Sequence, residues 1–151
     1  MTLMTNLDWC DIKHFKPSEF RFNGEDVSNK MDYHFINRLD QFREMVGKPI
    51  KILSSFRDNN PKSQHINGIA VDIQIVGLDV MDMFLAAERS DFFKGIGVYP
   101  NWNNAGIHID MRRTEARWAT WDKSDVKNKK YVALDSAFWE KYYREKQNES
   151  N

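Results

Sequence analysis

Four residues in this chain have the types and spacing to do metal chemistry: His65, Asp72, His108 and Asp110. His65 leads into a segment in which Asp72 sits on the polar side of an apolar–polar alternation. His108 and Asp110 share the polar side of a second alternating segment. If the two segments are neighbouring strands, a histidine, a carboxylate and a second histidine converge within a few ångströms. Two imidazoles and one carboxylate are a usual ligand set for catalytic zinc, which keeps a fourth position open for water. Water bound there has its pKa lowered to about 7, giving hydroxide under neutral conditions. Spacing alone leaves a plainer reading open. His65 would then cap a strand entry, and His108 would be a half-buried strand residue.

The elements that must position these residues follow from periodicity. In Ala70 to Ile75, Val71, Ile73 and Ile75 face one way, with Asp72 and Gln74 opposite. In Gly106 to Arg112, Ile107, Ile109 and Met111 oppose His108, Asp110 and Arg112. Ile50 and Ile52 predict a strand before Ser54. Ile96 to Tyr99 predicts another, turned by Pro100, Asn101, Asn103 and Asn104 into an antiparallel hairpin. Phe35, Ile36, Leu39, Phe42 and Val46 recur at helical spacing, with Gly47 and Pro49 as stop signals. Val80, Met83, Phe84 and Ala87 make a second stripe, capped by Asp79. A short helix is expected around Lys16 to Phe20, with Pro17 near its start. The expected class is α+β: a small antiparallel sheet carrying the site, flanked by helices, in one domain over 1–151. Beyond a basic stretch at Lys127 to Lys130, Asp135 or Ser136 can cap a helix carrying Phe138, Trp139, Tyr142 and Tyr143. That stripe either docks on the core or forms a carbohydrate- or partner-binding patch.

Composition narrows the function classes. Among 151 residues, Lys+Arg 22 balance Asp+Glu 22, so the basic excess of a general nucleic-acid binder is missing. A hydrophobic share of 41% and an aromatic share of 13% exclude a disordered chain. No apolar run is long enough for a membrane span. The single cysteine, Cys10, forbids an intramolecular disulfide. Met1 to Phe15 shows neither the basic nor the apolar region of a secretory signal, so synthesis in the cytoplasm without a signal peptide is expected.

The wording around the candidate ligands adds a resemblance. Ser63-Gln64-His65-Ile66-Asn67-Gly68-Ile69-Ala70-Val71-Asp72 resembles the Ser-x-His-x-x-Gly-x-Ala-x-Asp signature of zinc D-alanyl-D-alanine carboxypeptidase-like metallopeptidases. That group also holds L-alanyl-D-glutamate endopeptidases and the hedgehog signalling domain. Phe15 to Phe20, Gly47 to Ile50, Ser54 to Arg57, Gly95 to Pro100, Ile107 to Arg112 and Arg117-Trp118 resemble further blocks of it, in order. The similarity spans about 15–118 and leaves 119–151 as an extension.

The resemblance implies roles. His65, Asp72 and His108 match the zinc ligands, and Arg57 matches an arginine that holds a substrate carbonyl or carboxylate oxygen. Ser63 and Gln64 orient the ligand loop, Gly68 permits its tight approach, and Tyr99 and Trp118 either wall the cleft or pack in the core. One role departs from the pattern. The positions where family members place a general base, shortly before the last ligand, are Ala105 and Gly106, which cannot take a proton. Asp110 offers itself either as that base or as an outer partner fixing the His108 imidazole. The implied reaction is zinc-assisted hydrolysis of peptide bonds in bacterial peptidoglycan, with Arg57 stabilising developing negative charge and Asp110 or a neighbour moving the proton. The expected setting is a phage endolysin or a virion-associated lysin acting at the cell wall. The alternative is a catalytically inactive zinc-binding module, meeting virion proteins through the C-terminal helix.

Overall fold

The computed structural model of the chain describes residues 1–149; positions 150 and 151 of the expected domain lie outside the described residues. Alternation lays down the strands of the main sheet. These are β3 (Ile50–Ser54), β4 (Ala70–Ile75), β5 (Gly95–Tyr99), β6 (Gly106–Asp110) and β7 (Ala116–Ala119), in the order β3-β4-β6-β5-β7. Before them come a single-turn helix α1 (Asn6–Trp9) and a hairpin of β1 (Arg21–Phe22) and β2 (Glu25–Asp26). The short helix expected near Lys16 is a lone 3-10 turn over Pro17–Glu19.

Three of the four pairings in the sheet are antiparallel, including the expected β5–β6 hairpin. The fourth corrects the expectation of a wholly antiparallel sheet: β7 runs parallel to β5. The reason lies in the connection. Strand β6 ends at Asp110, opposite Gly95 at the start of β5, and Gly95 also faces Ala116 at the start of β7. The linking residues 111–115 pass the end of β5 and turn back along its free edge, so β7 opposes β6 and follows β5.

Helix α2 (Tyr33–Val46) starts where the Asp32 carboxylate accepts the Phe35 N–H at 3.0 Å, and ends at Gly47 in the left-handed region. Helix α3 (Val80–Ser90) starts at the Asp79 cap. Their stripes pack on the apolar side of the sheet. Phe35, Ile36, Leu39 and Phe42 from α2 and Val80, Met83 and Ala87 from α3 are buried with Val71, Ile73, Ile96, Val98, Ile107 and Ile109. Each of these side chains other than Ala87 contributes roughly 1.5–3 kcal/mol of burial free energy. With that side of the sheet committed to the core, period two leaves Asp72, His108 and Asp110 on the other.

Helix α4 (Ser136–Glu149) is capped by Asp135, which accepts the Phe138 N–H at 3.0 Å. Its stripe docks: Phe138 is buried and stacks on Trp121 with centroids 4.4 Å apart, and Trp139 meets Phe84 of α3 at 5.3 Å. Tyr143 points away and is 58% exposed. Among the described residues, no helix is long and apolar enough to cross a membrane.

Candidate metal centre and cleft

His65 is set by a 3-10 turn over Gln64–Asn67. Ser63 caps it, its hydroxyl oxygen accepting the His65 N–H at 3.3 Å. Gly68 ends it at φ +67, and a Cβ there would lie 2.3 Å from the Lys30 carbonyl oxygen, so conformation and space both require glycine. The ring is oriented by the backbone: Nδ1 donates to the Ser55 carbonyl at 2.7 Å. That leaves Nε2 as the outward atom, buried, without a hydrogen-bond partner, and 3.4 Å from Asp72 Oδ2.

Asp72 on β4 and His108 on β6 are directly paired residues. His108 Nδ1 lies 3.1 Å from Asp72 Oδ1, while its Nε2 lies 2.7 Å from Asp110 Oδ2. One ligand atom from each of His65, Asp72 and His108 lies within 4.8 Å of the others.

Asp110 stands behind this triad. Its side chain is fully buried and receives Arg112 Nε at 2.9 Å on Oδ1 and Nη2 at 2.6 Å on Oδ2. Strand β5 makes room for Asp110 and for the Trp118–Tyr99 contact through two glycines. Gly95 faces Asp110 and Gly97 faces His108 across the β5–β6 pairing. A Cβ at Gly95 would sit 2.3 Å from Asp110 Oδ1, and one at Gly97 would meet the Trp118 indole and the Tyr99 hydroxyl.

The charges respond to this packing. Burial alone would raise the Asp72 carboxyl, but the hydrogen bond from His108 and the charge of that imidazole outweigh it and hold the group well below the usual carboxylate range. Burial likewise opposes ionisation of Asp110, and His108 and Arg112 reverse that. Burial presses the His108 imidazolium down; the flanking carboxylates Asp110 and Asp72 more than reverse it, so its pKa is raised. Burial and the Asp72 charge push the Tyr99 phenol well above its ordinary value, which keeps its proton on.

The triad opens on a cleft of about 680 Å³. Arg57, Ser63, Tyr99 and Trp118, all singled out from the sequence, line it with the three candidate ligands. Arg57 Nη2 lies 3.9 Å from Asp72 Oδ2, and its Nε is buried without a partner. Tyr99 accepts the Trp118 indole N–H at 3.1 Å. Asp110 does not line the cleft; the His108 ring separates it from Asp72. Trp102, Lys129 and Tyr131 do line it and were not foreseen as site residues. Trp102 stacks on Tyr99 at 4.1 Å, a contact across a turn that no periodicity reports. Lys129 belongs to the basic stretch noted in the sequence, which is the one signal that pointed there.

A sheet that delivers two imidazoles and a carboxylate to the floor of a polar cleft is the framework of a metallohydrolase. A profile of the peptidase M15 family matches residues 13–110, and the chain belongs to that family. Its members are zinc-dependent peptidases of the peptidoglycan-hydrolysing kind. No curated protein matches the chain in sequence. The residues present fit the metal. The lone pair of His65 Nε2 is orphaned in a buried place, and two nitrogens and a carboxylate oxygen surround one point.

Proposed function

We propose that the protein hydrolyses a peptide bond in the stem peptides of bacterial peptidoglycan, as a D,D-carboxypeptidase or an L,D-endopeptidase. His65, Asp72 and His108 are the zinc ligands in this reading. The observation that carries it is the buried, unpartnered His65 Nε2, aimed at Asp72 beside His108 at the base of a cleft. Zinc, when bound, supplies a Lewis acid and an activated water.

The chain's own residues divide the remaining work. Ser55 and Ser63 fix the His65 ring and turn. Arg57, with a free Nε and a guanidinium at the cleft, holds a carbonyl or carboxylate oxygen and stabilises negative charge gathering on it. Tyr99 accepts from Trp118 and keeps its own proton to donate toward that oxygen. Trp118 walls the cleft. Asp110 positions His108 through Nε2 rather than taking a proton from the reacting water, because it lies behind the ring.

The test is digestion. Zinc-loaded protein is incubated with purified peptidoglycan, and new amino groups and released fragments are measured. Release that stops with a chelator and returns with zinc is the expected outcome; the identity of the new terminus separates the two bond types. Arg57→Gln should lower kcat about 10²–10³-fold with zinc content unchanged, as loss of one preorganised charge-stabilising donor does. We also propose the setting of a phage lysin, free or virion-borne. Protein added from outside to cells with a permeabilised outer layer should then clear their turbidity.

One observation favours a second reading. Among the described residues lining the cleft, Asp72 is the lone carboxylate, and the imidazoles are those of the triad. A zinc-binding structural or wall-binding module needs no further base. Zinc at one equivalent, with no amino groups released from any wall type, would select it.

A further inference from the structure

Residues 120–132 lie beyond the stretch matched by the family profile, yet they build a wall of the cleft. The loop is closed at its base by Ala119 and Val132, which exchange backbone hydrogen bonds at 3.0 and 2.8 Å. The buried Thr120 hydroxyl donates to the Lys130 carbonyl at 2.8 Å, and the Asp122 carboxylate accepts the Lys130 N–H at 2.7 Å. Asn101 ties the Trp121 carbonyl to the β5–β6 turn at 2.8 Å. Trp121 in turn stacks on Phe138. Docking of α4 therefore buttresses the loop, which gives the aromatic stripe of the extension a role at the cleft.

Lys129 is the charge this loop delivers. It is half-buried, and its Nζ donates to the Ser124 and Val126 carbonyl oxygens at 3.0 and 2.9 Å. Those neutral acceptors fix the ammonium in place without cancelling its charge, and one of its N–H groups is still to be satisfied. The Nζ stands 6.0 Å from the centre of the Trp102 ring, itself stacked on Tyr99. Among the described residues, no carboxylate pairs with Lys129. The other charges of the cleft leave this one unanswered. Arg112 is engaged by Asp110, Arg57 stands beside Asp72, and Lys62 is exposed and uncommitted. An ammonium already held loses little freedom when a ligand arrives, so its attraction for an anion is retained as affinity.

We infer that Lys129 is a specificity-determining residue that binds a free carboxylate of the peptide substrate at the loop wall, apart from the oxygen held by Arg57. The inference rests on the reading of the cleft as a peptidase site. It assigns the segment 120–132 to substrate selection, outside the part of the chain that carries the metal ligands.

The experiment uses a synthetic stem-type peptide and variants of it in which one carboxylate at a time is amidated. Binding to the zinc-loaded protein is read from tryptophan fluorescence, and hydrolysis from initial rates. In the wild type, one amidation should weaken binding and raise KM about five- to tenfold, with kcat changed less than about twofold. Lys129→Gln, whose amide can still donate to the loop carbonyls, should show the same weakening for the free acid and no further loss on amidation. Lys129→Arg should restore the preference. The inference is overturned if Lys129→Gln weakens every peptide equally, or if it leaves the wild-type preference intact. Failure to cleave any wall, with the acid–amide preference present in binding, would sink the peptidase reading and leave the carboxylate site standing.

Discussion

His65→Ala is expected to abolish zinc retention and peptidoglycan hydrolysis together. In the proposed site the ring would offer the metal its Nε2, because Nδ1 is engaged by the Ser55 carbonyl. Losing a direct ligand should cost more than the roughly 10–100-fold in metal affinity that loss of an outer partner costs. Stability reports the same event independently of catalysis. A ligand at about 1,000 times its Kd stabilises the folded state by roughly 4.1 kcal/mol, so chelation should lower the wild-type melting temperature by roughly 8–16 °C. The variant should melt at the same temperature with and without zinc. A substituted protein that still holds one equivalent of zinc at dialysis equilibrium would remove His65 from the site.

That site was legible in the sequence to an uneven degree, and the unevenness has physical causes. Asp72 and His108 were placed on polar strand faces by period two, and the β4–β6 register makes them direct partners. The apolar residues between them dictate this, because a one-residue slip would turn the charged groups into the apolar core and Ile73 and Ile107 toward the cleft side. The helices were readable for the same reason, since their stripes match the apolar side they cover. Strand β7 was not. Three of its four residues are half-buried and the run lacks alternation, and its direction depends on where residues 111–115 cross the sheet end. The β1–β2 hairpin carried its signal in Asn23-Gly24, both at positive φ, a dipeptide suited to a two-residue turn; the flanking strands are too short to show a period. The wall of residues 120–132 is fixed by Ala119 meeting Val132 and by Thr120 and Asp122 meeting Lys130 across the loop, and no local pattern announces such pairings.

The position of Asp110 was legible as a face but not as a distance, and this is where the second large effect is expected. A carboxylate two residues from a histidine on one strand can reach either the reacting water or the back of the ring. In the structure it reaches the back, with Oδ2 at 2.7 Å from Nε2, and Arg112 occupies both of its oxygens. An acceptor there holds a His108 proton on Nε2, so that Nδ1, which faces Asp72, is the nitrogen left to give up its proton to a metal on that side. Asp110→Asn disturbs that choice. Its amide oxygen goes to the Arg112 guanidinium, so its NH₂ faces Nε2, which must then accept, and the proton moves to Nδ1. Zinc affinity should fall about 10–100-fold, measured by competition with a chelator of known affinity, and activity should recover as zinc is raised. If Asp110 were instead the proton acceptor of the reaction, the variant would hold zinc with wild-type affinity and lose kcat at saturating metal. Gly95→Ala gives the same question a control without changing a titratable group. The added methyl would lie 2.3 Å from Asp110 Oδ1 and must push the carboxylate off its place. Weakened zinc binding in that variant, with Asp110 itself intact, follows only if the carboxylate acts by holding His108 in position.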